Sequence, residues 1–278
     1  MVKTSRSINK DFWYNNLQKR DKIVPKISVI TVSYNAQKTI EKTIQSVKNQ
    51  TFDDFEYILV DGNSKDKTLE IAGKYKDFIK KWISEPDKGL YDAMNKGVLL
   101  AQGEYVVFLN ADDVFAADDV LENMAKHLDG HDIVYGNVDF YNLKTGEHNI
   151  RKQNYMNKAV LCSGTMFHPA EFIKRSLLEN LGGFDLRFKI VADYEFNLRA
   201  ILKNKAKIKY ADVTVTVFAE GEGLSTNTEG EKRHQKEKKI AQKMYFNPLE
   251  IWLNTLLFKT FRSLLKTPLY KFFFQIGD

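Results

Sequence analysis

The chain has 278 residues, 43% hydrophobic and 28% charged, which is enough to bury a core in one or two domains of a soluble globular protein. Its single cysteine, Cys162, excludes an internal disulfide and is expected to be a small buried residue. The N-terminal residues lack the apolar core of a signal peptide, and no run reaches the roughly 18 apolar residues of a membrane span. We therefore expect a cytoplasmic protein.

The net charge of +6 is concentrated at the end of the chain. From Glu231 onward there are ten basic and four acidic residues, and the remainder holds 32 of each sign. The body of the protein is thus neutral. Together with the lack of any recognition motif, this argues against nucleic acid as a partner.

Strand and helix patterns alternate from Ile27 onward. The run ISVITVSYN predicts a strand covered on both faces, and QKTIEKTIQSVKNQ repeats apolar residues at helical spacing. FEYILVDG predicts a second strand and DKTLEIAGKYKDFI a second helix capped by Asp66; the strand KWIS, a helix over Tyr91–Ala101 and the strand EYVVFLN follow. This order predicts an α/β fold with a mostly parallel sheet and helices on both faces.

Polar residues collect where these predicted strands end. Ligands of open α/β sheets lie beyond the carboxyl ends of the strands. Those ends carry Ser33–Asn35, Asp61–Ser64, Glu85–Asp87 and Asn110–Asp113. We therefore expect the functional site along this edge.

After Asp132 the pattern changes to mixed α and β. DIVYGNVDFYN and HNIRKQ predict a hairpin, and a helix from about Asp193 to Lys203 precedes the strand AKIKYADVTVTVF. This half is expected to complete the same domain. The predicted organisation is an N-terminal extension (1–24), one domain (25–230, with halves of about 25–130 and 131–230) and a basic helical tail (231–278).

Two pairs of adjacent aspartates follow the strand EYVVFLN. Asp112 and Asp113 end an apolar strand, where carboxylates can converge on a hard divalent cation such as Mg²⁺. A role in a turn or a helix cap is the alternative for this pair. Asp118 and Asp119 open the amphipathic pattern DDVLENMAKHL and are expected to cap that helix.

Three stretches of this chain occur in the order seen in family 2 glycosyltransferases, which it resembles over roughly residues 25–220. They are PKISVITVSYNAQKTIEKTIQSVKNQTFDDFEYILVDGNSKDKT, EPDKGLYDAMNKGVLLAQGEYVVFLNADD and VADYEFNLR. The second is similar to a subgroup associated with colanic acid and related exopolysaccharide or lipopolysaccharide synthesis. The resemblance implies the GT-A fold and an inverting transfer of a sugar from a nucleotide-diphosphate donor to a bacterial glycan.

The resemblance also implies roles for the acidic residues of the donor half. Asp113, and with it Asp112, is similar to the motif that holds Mn²⁺ or Mg²⁺ against the donor diphosphate, where the metal neutralises charge on the leaving group. Asp61 matches the first acid of the family's DDGS turn, near the base and ribose, whereas Gly62 replaces the second. A simple strand-ending turn is the alternative for Asp61 and Gly62.

The remaining donor-binding candidates are polar residues of the neighbouring loops. Ser33 and Tyr34 match the loop that borders the nucleotide base. Asp87, Lys88 and Asn95 line the next crossover, where Lys88 could meet a phosphate as a point charge or simply be solvated.

The acceptor side is expected to supply the general base. Asp193 matches the carboxylate that family members use on the acceptor hydroxyl, although Ala192 stands where many of them have a glutamate. Capping of the following helix is the alternative role for Asp193. His168 and Glu195 are minor candidates on the same side.

The tail has the composition of a helix that lies in a membrane interface. Residues 247–267 place Trp, Phe and Leu at helical spacing opposite Lys259, Arg262 and Lys266. The same stripe could pack on the domain or on a partner subunit. We expect residues 247–278 to bind the anionic inner face of the bacterial cell membrane, with a glycan or lipid-linked glycan as the acceptor.

Two other functions are compatible with this sequence pattern. A sugar nucleotidyltransferase would share the sheet and the metal, but it needs a glycine-rich basic loop after the first strand, and SYNAQKT has no glycine. A non-catalytic, membrane-associated binding protein of the same fold is the other.

Overall fold

The computed structural model describes residues 24–220, 228–254 and 256 of the chain. Its strands are β1 (Ile27–Ser33), β2 (Phe55–Asp61), β3 (Lys81–Ser84), β4 (Tyr105–Phe108), β5 (Val114–Phe115), β6 (Ile133–Asn142), β7 (His148–Arg151), β8 (Glu171–Lys174) and β9 (Ile208–Glu220). Its α-helices are α1 (Ile40–Lys48), α2 (Thr68–Gly73), α3 (Leu90–Leu100), α4 (Val120–Leu128), α5 (Lys158–Ser163), α6 (Arg175–Leu181), α7 (Ala192–Leu198) and α8 (Thr228–Tyr245).

One sheet runs through the domain in the order β3-β2-β1-β4-β8-β6-β9-β5, with β7 paired to β6. The stretch β3-β2-β1-β4 is parallel throughout. Every residue of β1 is buried because alternate side chains enter two cores. Ile30 packs in the core that contains Met94 of α3, and Val29 packs in the core that contains Ile44 of α1. The predicted α/β fold is confirmed, and double coverage explains the nearly continuous apolar pattern of β1.

The second half of the sheet is mixed rather than parallel. Strand β8 pairs antiparallel with both β4 and β6, and β7 pairs antiparallel with β6 in the predicted hairpin. Strand β9 runs parallel to β6 and antiparallel to the short β5. This half therefore places the segments before α7 opposite the carboxyl ends of β1 and β4.

Two predicted helix caps differ in detail from the structure. Asp119 occupies the N-cap position of α4, but its side chain makes no cap hydrogen bond among the described residues, so only its charge can favour the helix dipole. Lys67 occupies the N-cap position of α2, and Asp66 accepts the backbone N–H of Thr68 at 3.0 Å from one residue earlier.

The first part of the predicted tail packs onto the domain. Ala241 and Phe246 are buried in the core that contains α3 and α7. The side chains of Lys238 and Gln242 donate to the carbonyl oxygens of Ser163 (2.7 Å) and Cys162 (2.5 Å) at the end of α5. Helix α8 is therefore part of the folded unit.

Only residues 247–254 and 256 of the predicted membrane segment belong to the described part of the chain, and residues 248–254 are helical. The rest of that segment lies outside it. None of the described helices combines the length and the hydropathy that crossing a bilayer requires.

Candidate active site

A cleft of about 750 Å³ lies beyond the carboxyl ends of β1 and β4. The residues that line it from the first half of the chain include Tyr34, Gln37, Lys38, Asp66, Asn110 and Asp112. Those that line it from the second half include His168, Lys189 and Asp193, and His234 of α8. Four predicted site residues thus share one cavity: Tyr34, Asp112, His168 and Asp193.

The other predicted site residues do not line this cleft. Asp87 and Lys88 lie on the loop after β3, half-buried and exposed respectively. The remaining ones are all buried: Ser33, Asp61, Asn95, Asp113 and Glu195. Each has an identifiable packing environment.

Asp61 ties together the ends of three strands. Its carboxylate accepts the hydroxyl of Ser33 at 3.0 Å and the hydroxyl of Ser84 at 2.7 Å, from β1 and β3. It also accepts the backbone N–H of Ser64 at 2.9 Å in the following turn. These bonds link the carboxyl ends of β1, β2 and β3.

Gly62 makes room for the carboxylate of Asp87. A Cβ added to Gly62 would lie 2.4 Å from Asp87 Oδ2 and 3.3 Å from the ring of Tyr34. The other oxygen of Asp87 accepts the backbone N–H of Gly89 at 2.8 Å. A carboxylate therefore does stand beside position 62, but it comes from the next loop.

Asn95 and Glu195 are used within the core. The amide of Asn95 donates to the carbonyl oxygen of Phe184 at 2.9 Å and accepts the N–H of the same residue at 2.8 Å. Glu195 is paired with Arg199 at 2.9 Å and accepts the hydroxyl of Tyr245. Both side chains are therefore buried with partners inside the fold, and neither lines the cleft.

The turn after β4 presents oxygen atoms that fit a hard cation. In the described part of the chain, Asn110 Oδ1 and both carboxylate oxygens of Asp113 are buried without a hydrogen-bond partner of acceptable geometry, although the Asn110 side chain is close to Asp113. Burial, and then the charge of Asp112, raises the pKa of Asp113 well above its usual value. Asp112 is exposed and lines the cleft.

This oxygen set suits Mg²⁺ or Mn²⁺ better than a softer metal. No group of three or more His, Cys, Asp or Glu side chains that could hold a metal occurs among the described residues. A site with one or two carboxylates and a substrate diphosphate needs no such group. Asp112 is the side chain that already faces the cleft, whereas Asp113 lies beneath it.

Asp193 is the second residue of α7, whose N-cap is Val191. It is therefore past the capping position. Its Oδ1 accepts the hydroxyl of Tyr91 at 2.8 Å, and its Oδ2 lies 3.6 Å from His168 Nδ1. Its side chain is 13% exposed, which makes it accessible from the cleft yet largely shielded from bulk water.

His168 lies between the turn after β4 and Asp193. Its Nε2 is 3.3 Å from the amide nitrogen of Asn110, which can only donate, so the ring proton is assigned to Nδ1 and faces Asp193. Burial lowers the pKa of His168, and the charges of Asp193 and Asp112 act in the opposite direction. A single imidazole thus separates the two sides of the cleft.

Several cleft residues were not among the predicted site residues. Asp66 was predicted only as a helix cap, and Tyr91 only as the start of a helix. Lys189 lines the cleft, and its side chain donates to the carbonyl oxygen of Lys88 at 2.9 Å. The contacts of Tyr91 and Lys189 join residues about 100 positions apart, so no local pattern could have indicated them.

The chain is similar to proteins that are named as glycosyltransferases. A "PGL/p-HBAD biosynthesis glycosyltransferase" of Mycobacterium bovis is 32% identical over 227 residues, covering 79% of this chain and 86% of the relative. A "Cholesterol galactosyltransferase" of Borreliella burgdorferi is 41% identical over 121 residues, or 42% of this chain and 33% of that protein.

Two solved structures share the fold. TarS (residues 1–349) of S. aureus in complex with UDP-GlcNAc superposes with a TM-score of 0.61 at 22% identity, covering 78% of this chain and 66% of that one. The mannosyltransferase PcManGT of Pyrobaculum calidifontis, in complex with GDP-Man and Mn²⁺, superposes with a TM-score of 0.57 at 23% identity. The match covers 77% of this chain and 64% of that one. This chain spans less than two thirds of each of these two solved chains.

The sequence profile of Glycosyl transferase family 2 matches residues 28–189, which include the parallel strands, the turn after β4 and His168. Together with the relatives that carry the same fold, this match shows that the chain is a glycosyltransferase of family 2 with a GT-A fold.

Proposed function

We propose that this enzyme transfers a sugar, with inversion, from a nucleotide-diphosphate sugar to a lipid-linked acceptor of a bacterial polysaccharide, and that it needs Mn²⁺ or Mg²⁺. One observation carries most of the argument. Asp112, from the turn after β4, and Asp193, from α7, line the same cleft, and His168 lies between them.

The donor is proposed to lie across the ends of β1 and β4. Tyr34 is 66% exposed at this edge, so its ring is available to a nucleotide base. The solved structures with the same fold hold UDP-GlcNAc or GDP-Man, which supports a nucleotide sugar without identifying it. Ser33, Asp61, Asp87 and Lys88 shape the loops around this position.

Asp112 and Asp113 are the proposed holders of the metal, with the oxygen of Asn110 beside them. A divalent ion bound there would supply Lewis-acid stabilisation of the negative charge that develops on the departing nucleoside diphosphate. Burial of Asp113 without a partner is costly for the free carboxylate, and a cation would remove that cost.

Asp193 is the proposed general base. Its carboxylate would accept the proton of the acceptor hydroxyl while that oxygen attacks the anomeric carbon and the bond to the diphosphate breaks. Tyr91 orients Oδ1 of this carboxylate, and the Nδ1–H of His168 points toward Oδ2. Because the attack and the departure occur on opposite faces of the sugar, a single displacement inverts the anomeric centre.

An apolar surface near the chain end supports a lipid-linked acceptor and a peripheral membrane position. Leu249, Trp252, Leu253 and Leu256 are between 41% and 63% exposed, at the spacing of one helix face. Such a face, followed in sequence by Lys259 and Arg262, fits an anionic leaflet. The Borreliella burgdorferi relative is named for a sterol acceptor, which is consistent with an acceptor at a membrane.

The test is a thermal-shift screen of UDP-, GDP-, dTDP- and CMP-sugars with and without Mn²⁺, followed by transfer assays with the stabilising donor. We expect Asp193→Asn to bind that donor as the wild type does and to lose transfer. Stabilisation by no donor would refute the proposal. Stabilisation without any transfer would favour a binding protein, and release of pyrophosphate from a nucleotide and a sugar phosphate would favour a nucleotidyltransferase.

A further inference from the structure

Helix α8 contacts the segment that leads into the proposed base. The family match ends at residue 189, so both α8 and Asp193 lie beyond it. Two further contacts, from Lys238 and Gln242 to the end of α5, anchor α8 independently of that segment. The helix therefore offers a fixed support for whatever it holds.

The support is made by one buried carboxylate. Glu237 is 8% exposed, and its Oε2 accepts the backbone N–H groups of Lys189 and Ile190, both at 2.9 Å. Hydrogen bonds from two N–H groups to a buried carboxylate are charge-assisted and stronger than neutral ones. They restrain the backbone three to four residues before Asp193.

The other side of the same backbone is held by Tyr91. Its hydroxyl lies 2.9 Å from the carbonyl oxygen of Ile190 and 2.8 Å from Asp193 Oδ1. A phenol has one proton, so it cannot donate fully to both oxygens. While Asp193 is a carboxylate, Tyr91 donates to it. Once Asp193 has taken a proton, it can donate to Tyr91, and Tyr91 can turn its own proton to Ile190.

Tyr91 keeps its proton through this exchange. Burial, and then the charge of Asp193, raises the pKa of Tyr91 well above its ordinary value. The phenol thus stabilises both protonation states of Asp193 without a net change in its own. That requires the carbonyl oxygen of Ile190 to stay within reach.

We propose that Glu237 is a positioning residue for Asp193: it fixes the backbone of Ile190, whose carbonyl oxygen is the second acceptor for Tyr91, and so keeps Tyr91 and Asp193 aligned for proton transfer. This inference rests on the proposed role of Asp193 as the base. It makes α8 part of the catalytic apparatus.

The test compares Glu237→Ala, Glu237→Asp and Glu237→Gln in the chain of 278 residues, with Glu231→Gln as the matched control on an exposed position of the same helix. Glu237→Ala removes the hydrogen-bond acceptor. Glu237→Asp has a side chain shorter by one methylene group, so its carboxylate does not reach the two N–H groups. We therefore expect kcat to fall roughly tenfold or more in both variants. Gln keeps one oxygen for both N–H groups, so we expect it to restore kcat to within about threefold of wild type. The donor dissociation constant should change less than about twofold throughout, because the donor loops stand on β1 to β4.

A double-mutant cycle with Tyr91→Phe separates positioning from general destabilisation. If Glu237 acts through Tyr91, Tyr91→Phe should lower kcat much less in the Glu237→Ala or Glu237→Asp background than in the wild type. If the two substitutions lower kcat independently, so that the loss in the double mutant is the product of the two single losses, the proposal is overturned. So would a kcat unchanged in both shortened variants, or a loss of donor binding that parallels the loss of kcat.

A readout without turnover keeps the proposal testable if the proposed function fails. Amide hydrogen exchange of peptides that cover residues 186–194 should accelerate in Glu237→Asp and stay at the wild-type rate in Glu231→Gln. If the wild type transfers no sugar at all, the proposed function is refuted. Amide hydrogen exchange then tests by itself whether Glu237 restrains the backbone before Asp193. An unchanged exchange rate in Glu237→Ala and Glu237→Asp would refute the restraint by Glu237.

Discussion

The carboxylate of Asp87 lies against Gly62, so close that a Cβ on Gly62 would be 2.4 Å from Asp87 Oδ2. The resemblance to family 2 glycosyltransferases placed an acid at position 62, and this chain has none there. The contact shows how a carboxylate can nevertheless stand at the end of β2, beside the exposed ring of Tyr34. Gly62 and Asp87 therefore form one unit at the proposed donor site.

We predict that Gly62→Ala weakens donor binding several-fold with little loss of stability. The added methyl group must displace the end of the Asp87 side chain, which can move at small cost, but the carboxylate then leaves its place. Gly73→Ala is the matched control, because an added Cβ there meets none of the described atoms within 4 Å. Isothermal titration with the nucleotide found in the donor screen measures the effect. Equal affinity in both variants would exclude Asp87 from the donor site.

The fold was largely predictable from the sequence because its strands are covered on both faces. The strand β1 gave a nearly continuous apolar run, and its end placed Tyr34 and Asp61 at the correct edge. Helix caps were less predictable. Asp119 occupies the N-cap position, as expected, but its side chain makes no cap hydrogen bond among the described residues. Local sequence indicates an element but not which of its polar atoms find partners.

The site was only partly predictable, since burial depends on contacts far along the chain. Asn95 was expected at the donor but bonds to Phe184, 89 residues away. Glu237 falls in the predicted basic helical tail and was not a predicted site residue, yet it accepts two N–H groups near Asp193. Neither contact leaves a periodic or spaced signal in the sequence. Asp112 and Asp193, by contrast, stand in motifs that the sequence analysis singled out, and both line the cleft.

We predict that Glu171→Gln makes the protein more stable at pH 8 and removes part of its pH dependence. Complete burial, and then the charge of Asp193, raises the pKa of Glu171 to about 8, while the amide of Asn197 donates to it at 2.9 Å. This pKa lies above the unfolded value of 4.5, so the folded protein favours the protonated form of Glu171. The stability that this protonated side chain contributes is fully present below pH 4.5 and is lost as pH rises to about 8. Gln keeps the acceptor for Asn197 and does not ionise.

Urea unfolding at pH 5 and pH 8 measures that difference. The control is Glu70→Gln on the exposed face of α2, which should leave the pH dependence of the free energy of unfolding unchanged. If Glu171→Gln and the wild type lose the same free energy between the two pH values, Glu171 is not protonated in the folded protein.

We predict that substitution of the exposed apolar face near the chain end weakens binding to anionic vesicles. Burial of a large apolar side chain contributes about 1.5–3 kcal/mol, so Trp252→Ser with Leu253→Ser should lower partitioning at least about tenfold. Sedimentation with phosphatidylglycerol-containing vesicles measures it. Leu143→Ser is the control, because Leu143 is 47% exposed at the far end of β6. Unchanged partitioning would favour packing of this face on a partner protein.

We predict that Asp112→Asn abolishes the stabilisation that Mn²⁺ gives in the presence of the donor nucleoside diphosphate. Asn removes the charge and one of two oxygens from the side chain that faces the cleft, whereas Asp113 lies beneath it. Asp118→Asn is the matched control, because Asp118 is exposed before α4 and does not line the cleft. The melting temperature is measured with nucleotide alone, with nucleotide and Mn²⁺, and after addition of EDTA. Equal shifts of the melting temperature by Mn²⁺ in the two variants would place the metal elsewhere. If Mn²⁺ does not shift the melting temperature of the nucleotide-bound wild type, the diphosphate is bound without a metal.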